Sequence, residues 1–346
     1  MAATVPLSVA RRSSISSEQK VAFLKKPSSY PEATDQVEMV ETHMAWVFLT
    51  DTQAYKLKKP VQYGSLDLTT RSARRRNSVM EVQLNRRLAG ETYQGVVRLA
   101  YHDGALTLDG PGRATDWLVK MHRLPADRMI DALAQRGDLR PSHLRKTASR
   151  LTELYRSLPP ALANPRTYRD RLLRCIEHNA QALRQAPYPL PPAQIDATSE
   201  ALTHFVHHAR ATLEARVLDG HIIEGHGDLR PEHVCMCPDP IIFDCLEFNR
   251  TLRVLDAADE IAFLAMECER LGVDFATPTL LEAYATHTGE AVTRELVHFY
   301  QAMRALQRAR LAVRHTWPTR DPERAQHWQS QAESYLQRAE ADLRAM

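Results

Sequence analysis

The stretch from His226 to Asp259, HGDLRPEHVCMCPDPIIFDCLEFNRTLRVLDAAD, constrains the fold more than any other part of this chain. It is a polar loop, a short apolar strand that delivers an acid, and then a turn with further carboxylates. His226, Gly227 and Asp228 follow a strand-like segment, HIIEG, and Pro231 stops any helix starting there, so Asp228 is held on a tight loop. CPDP is turn chemistry. IIF is a β-branched and aromatic run that ends at Asp244. Two hairpin-like strands would bring Asp228, His233 and Asp244 to one end of a small sheet. Carboxylates placed there can orient a nucleophile and hold a divalent cation, the main tasks of a protein in phosphoryl transfer. A lone HGD or a lone IIFD would mark an ordinary turn or strand end. The two together, with the acids sixteen positions apart and Asp259 ahead of the helical EIAFLAMECERL, are more specific.

At 346 residues the chain has length for about two domains and apolar content for real cores. A net charge of +3 is near balance and does not imply nucleic acid as a partner. The five cysteines are odd in number and mostly in apolar contexts, which points to a reducing, cytoplasmic setting rather than a disulfide framework. Cys235-x-Cys237 lacks a second ligand pair at zinc spacing, so the two read as alternating strand residues. No apolar run approaches the ~18 residues of a membrane span. The first fifteen residues, MAATVPLSVARRSSI, lack acids and place charge after the apolar run; residues 1–20 are expected to form a disordered terminus rather than a secretory leader.

Ser16-x-x-Gln19 matches a capping box, so a first helix begins near Ser16 and ends by Pro27. Val37, Met39 and Glu41 alternate with polar neighbours, Trp46 to Leu49 reads as a buried strand, and Ala54 to Lys58 as its return. Lys56 and Lys58 lie two apart and so share one face of that strand. Two adjacent ammonium groups need an anion or a carboxylate between them, unless they only protect an edge strand. LTTRSARRRNSVMEVQLNRRLAG is an amphipathic helix with Val79, Val82, Leu84 and Leu88 inward and the Arg71 to Arg76 cluster in solvent. Glu81 falls among the apolar positions, and a buried glutamate needs a cationic partner. Lys56 or Lys58 is the obvious one. A β-meander with a strand at Trp117 to Met121 follows. From Asp127 onward the chain is helical apart from the motif loops, with helices near 139–158, 166–186, 193–218, 257–271, 279–289, 292–316 and 321–344, punctuated by prolines including Pro318.

These motifs resemble the aminoglycoside phosphotransferase-like family, relatives of the protein kinases, whose catalytic loop reads HGD-L-H-x-x-N and whose metal loop reads I-I-D. ETHMAWVFLTDTQAYKLKKPV, EVQLNRRLAG, VKMHRLP and IIFDCLEFN are similar to the kinase-like half of bacterial bifunctional aminoglycoside phosphotransferase/ATP-binding proteins, from about residue 20 to 316. No G-x-x-x-x-G-K-[ST] occurs, so the P-loop half of those relatives is expected to be lacking here. The resemblance implies an α+β, protein-kinase-like bilobal fold: a small β-sheet N-lobe over 21–124, a hinge near Met121 to Pro125, and a larger helical C-lobe over 125–346. Its catalytic loop would be 226–233 and its metal loop 241–247. It further implies Asp228 as catalytic base, His226 as buttress of the loop, and Asp244 as metal ligand. Lys56, with Lys58 as fallback, would orient phosphates; Glu81 would pair with it, Met121 would offer backbone to adenine, and Asp259 would brace the loop. The implied cofactors are ATP and Mg²⁺, with Mn²⁺ as the alternative. The implied partners are a nucleotide and a small hydroxylated molecule, without nucleic acid or membrane.

Three positions depart from the family pattern. The asparagine five residues after the base is His233, the histidine two after it is Arg230, and the turn Asp51-Thr-Gln contains no glycine for close approach to phosphates. An imidazole at His233 would suit manganese better than magnesium. Two functions therefore compete: a phosphotransferase acting on a hydroxyl group, and a pseudokinase that binds nucleotide or serves as a scaffold. The helices between 126 and 218 carry few acids, so a cationic aminoglycoside is not the favoured acceptor.

Overall fold

The computed structural model describes residues 15–63, 66–162, 164–315 and 322–346. The terminal residues 1–14, Pro318 and the helix limits expected at 316 and 321 lie outside them. The chain divides into two compact units between Leu124 and Pro125. The fold class is α+β, with an antiparallel sheet and one long helix in the first unit and mostly helices in the second.

In the first unit α1 (Ser17–Leu24) starts where the capping box predicts: Ser16 Oγ accepts from Gln19 N–H, and Gln19 Oε1 accepts from Ser16 N–H. The expectation of a structureless terminus through residue 20 is thereby corrected, because Lys20 is buried against Asp116. The strands are β1 (Glu38–Glu41), β2 (Ala45–Leu49), β3 (Gln53–Lys58), the two-residue pair β4 (Gln62–Tyr63) and β5 (Leu66–Asp67), then β6 (Tyr93–His102), β7 (Ala105–Leu108) and β8 (Arg113–His122). Between β5 and β6 runs α2 (Arg71–Ala89). The six-stranded sheet has the order β1-β2-β3-β8-β6-β7, every neighbour antiparallel. Phe48, Tyr55, Leu57, Leu99 and Leu118 form its core with Leu24 and Tyr30.

The inner face of α2 is more polar than the sequence suggests. Val82, Leu84 and Leu88 are buried as expected, but Val79 is exposed and Arg74 is buried. Arg74 grips Asp116 of β8 with two nitrogens, at 2.9 and 2.8 Å, and Lys20 reaches the same carboxylate at 2.7 Å. Arg74 lies seven residues before Glu81, two helical turns, so it shares Glu81's face and not that of the solvated arginines.

The second unit holds α3 (Ile130–Gln135), α4 (Pro141–Ser157), α5 (Pro165–Arg184), α6 (Pro192–His208) and α7 (Arg210–Leu218), then β9 (Ile222–Glu224), β10 (Val234–Met236) and β11 (Pro240–Ile242). After these come α8 (Arg250–Arg253), β12 (Val254–Asp256), α9 (Ala257–Arg270), α10 (Ala276–Thr288), α11 (Arg294–His315) and α12 (Pro322–Arg344). The single helix expected over 193–218 is two, because Ala209 leaves helical geometry at ψ 26°. Cys235 lies on β10, and its Sγ is 3.6 Å from that of Cys237. No helix among the described residues is long and apolar enough to cross a membrane.

Two small antiparallel ladders position the motif loops: β9 with β12, and β10 with β11. The first is tied to the helical core through Asp256. This fully buried acid caps α9 by accepting from Ala258 N–H at 2.8 Å, takes two bonds from Arg216 of α7 at 2.7 and 2.6 Å, and accepts from Tyr300 of α11 at 2.7 Å. Removing the acid would take two bonds from a buried guanidinium and leave it with Glu290 as its carboxylate partner. Asp256→Ala is expected to cost about 3–5 kcal/mol in denaturant unfolding; a loss below about 1 kcal/mol would show that water readily replaces the carboxylate.

Candidate functional site

The loop that carries Asp228 leaves β9 through two glycines that only glycine can serve. A Cβ at Gly225 would stand 2.5 Å from Glu260 Oε2, and Gly227 has φ +88°. The space saved at Gly225 admits the Glu260 carboxylate from α9. Its Oε1 accepts from the backbone N–H of His226 at 2.7 Å and of Gly227 at 2.6 Å, and its Oε2 accepts from Tyr155 of α4 at 2.8 Å. A buried acid thus satisfies two loop donors that water cannot reach.

The loop is also lashed to the segment that delivers Asp244. Phe243 N–H donates to the His233 carbonyl at 3.0 Å, and Leu246 N–H donates to the His226 carbonyl at 3.0 Å. His226 is fully buried. Its Nε2–H donates to the Phe243 carbonyl at 2.8 Å, which leaves Nδ1 to accept from Asp228 N–H at 3.3 Å. Burial holds its pKa below the ordinary value, so the ring is neutral, as this bonding pattern requires. Asp244 itself takes a left-handed conformation at φ 63°, sparsely populated for a residue with a side chain, and its carboxylate is 40% exposed.

Asp228, Arg230, His233 and Asp244 form one chain of side chains. Arg230 Nε donates to Asp228 Oδ2 at 3.1 Å, Nη1 contacts Glu232, and Nη2 donates to His233 Nε2 at 3.2 Å. His233 Nδ1–H donates to the Asp228 carbonyl oxygen at 2.8 Å, and its Nε2 lies 3.6 Å from Asp244 Oδ2. Burial pushes the Asp228 carboxyl up, but the cationic Arg230, with His233 and Arg308 beyond it, outweighs burial and holds its pKa down at about 2. The acid is ionised and poised to accept a hydrogen bond.

In the first unit the lysines and the glutamate meet as expected. Lys56 Nζ is 2.9 Å from Glu81 Oε1, and Lys58 Nζ is 2.5 Å from Oε2. The two share the carboxylate, one oxygen each. Lys58 is the more buried, 3% exposed against 15% for Lys56. Met121 lies within β8, paired with Ala54 on one side and Tyr93 on the other, so its backbone belongs to the sheet interior.

Asp259 was expected to brace the catalytic loop, but the direct brace is its neighbour Glu260. Asp259 receives two bonds from Arg304 of α11, at 2.7 and 2.8 Å, and Arg304 Nη1 reaches the Gly227 carbonyl at 3.4 Å. In the sequence the two acids are adjacent at the start of one helix, and only the rotation of α9 decides which faces the loop. Arg304 and Arg308 carry no local signal at all; their place follows from the packing of α11.

Among the described residues no three acid, histidine or cysteine side chains are gathered to hold a metal ion, so a cation here would rest on few protein ligands. Asp244 offers a hard, half-exposed carboxylate of the kind Mg²⁺ takes. His233 does not fit as the second ligand expected of it: one ring nitrogen is spent on the Asp228 carbonyl, and the other faces the Arg230 guanidinium.

No family model matches the sequence. Uncharacterised proteins of Mycobacterium tuberculosis and Mycobacterium bovis are 29% identical over 290 residues, covering 80% of this chain and 54% of theirs. The chain therefore spans about half the length of the curated relatives it matches. Among solved structures it is similar to a choline/ethanolamine kinase family protein from Mesorhizobium loti, with TM-score 0.53 and 15% identity over 94% of this chain and 98% of that one. It is also similar to a mutant aminoglycoside 2′-phosphotransferase-IIIa in complex with GDP (TM-score 0.54, 14% identity, 94% and 97% covered). A third is the choline kinase LicA from Streptococcus pneumoniae (0.52, 16%, 93% and 99%). At such identities the likeness is one of fold, and the protein-kinase-like α+β fold expected from the motifs is the one found.

The low pKa of Asp228 has a sign that can be measured. Its folded value, about 2, lies below the ordinary aspartate value near 4, so the stabilisation is fully present above about pH 4 and is lost as pH falls toward 2. Asp228→Asn is expected to be about 2–3 kcal/mol less stable than wild type at pH 7, with the gap narrowing below about pH 4. A gap that stays constant across that range in denaturant titrations would mean that Arg230 and its neighbours do not hold the acid ionised.

Proposed function

We propose that this chain is a nucleotide-dependent phosphotransferase that moves the γ-phosphoryl group of ATP to a hydroxyl group of a small molecule. The observation that carries this reading is the rigid coupling of an ionised acid, Asp228, to a strained and exposed one, Asp244, through His226, Phe243 and His233. Asp103 and Asp109 adopt the same left-handed backbone in turns, so it is the joining of Asp244 to the loop of Asp228, together with its strain, that points to a ligand site. The kinase-like fold supports the reading as analogy.

In this reading Asp228 accepts a hydrogen bond from the acceptor hydroxyl, orients it, and takes its proton as the new bond to phosphorus forms. Asp244 would hold a Mg²⁺ or Mn²⁺ ion, which when bound neutralises charge on the phosphates. Lys56, the less buried of the two lysines on Glu81, anchors the phosphates, and Lys58 keeps the glutamate in place. The Met121 region would offer adenine contacts only from the segment beyond the paired part of β8. A cytoplasmic location and the absence of nucleic-acid or membrane partners belong to the same proposal.

A pseudokinase is the second reading, and one observation favours it. Arg230 sits on the carboxylate that should act as base, and an acid with pKa about 2 takes up a proton reluctantly. A thermal-shift screen with ATP and GTP, each with Mg²⁺ or Mn²⁺, followed by ATP consumption against a panel of hydroxylated metabolites and antibiotics, separates the two. An active phosphotransferase should lose ~10²–10⁴ in turnover on Asp228→Asn while keeping its nucleotide affinity. Nucleotide-induced stabilisation without consumption of any acceptor would establish the pseudokinase.

A further inference from the structure

The Arg230 side chain is built into the motif loop more firmly than a surface arginine needs to be. It is 20% exposed, and its three nitrogens are directed to three different loop residues: Asp228, Glu232 and His233. A guanidinium has five N–H donors in a rigid fork. Three are used on these partners, leaving two for a ligand. Its charge is permanent: burial disfavours it, but the Asp228 and Glu232 carboxylates outweigh burial and raise its pKa above the ordinary value.

In two-metal kinases a residue of the catalytic loop helps hold a second divalent ion against the phosphates. The residue at that place here is His233, and its geometry argues against such an ion. Nδ1 donates to the Asp228 carbonyl at 2.8 Å, so Nε2 is the nitrogen with a lone pair to give. That lone pair already accepts from Arg230 Nη2 at 3.2 Å. A divalent ion on Nε2 would displace this hydrogen bond and stand next to a fixed positive charge. The same guanidinium touches the base on its other side, at 3.1 Å from Asp228 Oδ2.

We propose that Arg230 replaces the second metal ion: its guanidinium lies between Asp228 and His233 and donates to the transferring phosphoryl group, so the loop works with one divalent ion, on Asp244, and one cation supplied by the chain. This rests on the phosphotransferase reading above. As the acceptor oxygen bonds to phosphorus, the bond from phosphorus to the bridging oxygen breaks, its electron pair stays on the departing ADP, and the hydroxyl proton passes to Asp228. Charge accumulates on the phosphoryl oxygens during that exchange, and a preorganised arginine stabilises it without the geometric demands of an octahedral ion. The arrangement also accounts for both departures of the motif together. Once an arginine occupies this place, an amide ligand for a second ion has no task, and an imidazole that accepts from the arginine and donates to the loop backbone serves better.

The test counts ions rather than turnover. Mn²⁺ bound per chain is measured by electron paramagnetic resonance in the presence of saturating AMP-PNP, a non-hydrolysable ATP analogue. Wild type and Arg230→Lys, which keeps the charge, should each bind one Mn²⁺. Arg230→Ala combined with His233→Asn, which removes the charge and restores an amide oxygen, should bind two. Two ions on the wild type would overturn the proposal, and so would a single ion on the double variant with its AMP-PNP affinity intact. If the double variant does not fold, the wild-type and Arg230→Lys counts still decide. Wild type that binds neither AMP-PNP nor nucleotide-dependent Mn²⁺ would instead overturn the phosphotransferase reading, and this inference with it. One ion on the wild type together with two on the double variant supports the assignment.

Discussion

The candidate site depends on one carboxylate whose two oxygens are both taken up by the protein itself. Glu260 reaches from the first turn of α9 into the space left by Gly225 and accepts the N–H groups of His226 and Gly227. Left-handed backbone at Gly227 would otherwise expose unpaired donors in a buried loop, and each would cost on the order of 1–3 kcal/mol. With the clamp in place, the direction of Asp228 is set by backbone, not by a flexible side chain. The clamp is itself oriented: Tyr155 holds the second oxygen, and Asp256 fixes the start of α9 by capping it and binding Arg216 and Tyr300. Four helices and two short ladders thus converge on the loop.

Fixing the loop this way has an electrostatic consequence. Buried acids are costly unless cations or hydrogen bonds compensate them, and the second unit compensates with arginines from α11 and from the loop itself. Arg304 serves Asp259, Arg308 approaches Tyr335 and Glu267, and Arg230 serves Asp228. The same cations that let Asp228 stay charged in a partly buried place also make it a weak base. In the proposed phosphotransferase, orientation of the acceptor hydroxyl would then matter more than strength of proton abstraction. That suits phosphoryl transfer, in which positioning and charge stabilisation supply most of the acceleration.

The first unit solves a similar problem by a different route. A glutamate buried on α2 is matched by two lysines of one strand face, each taking one oxygen. Lys58 is almost fully enclosed and Lys56 is less so, which separates holding the carboxylate from reaching beyond it. Arg74 and Asp116 continue the polar stripe along α2 and bring α1 into it through Lys20. The helix is therefore anchored by charge pairs along a face that a simple amphipathic pattern would fill with aliphatic residues.

What the sequence determined by itself was local and chemical. The capping box at Ser16, the strand face shared by Lys56 and Lys58, the demand of Glu81 for a cation, and the turn that separates Asp228 from Asp244 all follow from neighbours a few residues apart. Periodicity could assign Val82, Leu84 and Leu88 inward because one helix suffices to define a face. Only the tertiary structure decided which of Asp259 and Glu260 holds the loop, that Arg74 is buried among arginines that are not, and that His233 has both ring nitrogens engaged. Each of these depends on the phase at which a helix or loop docks onto elements distant in sequence. A rotation of α9 by one residue, about 100°, would exchange the two acids without changing a letter. Composition and spacing carry the chemistry that is available, while the packing of distant elements selects which groups are used.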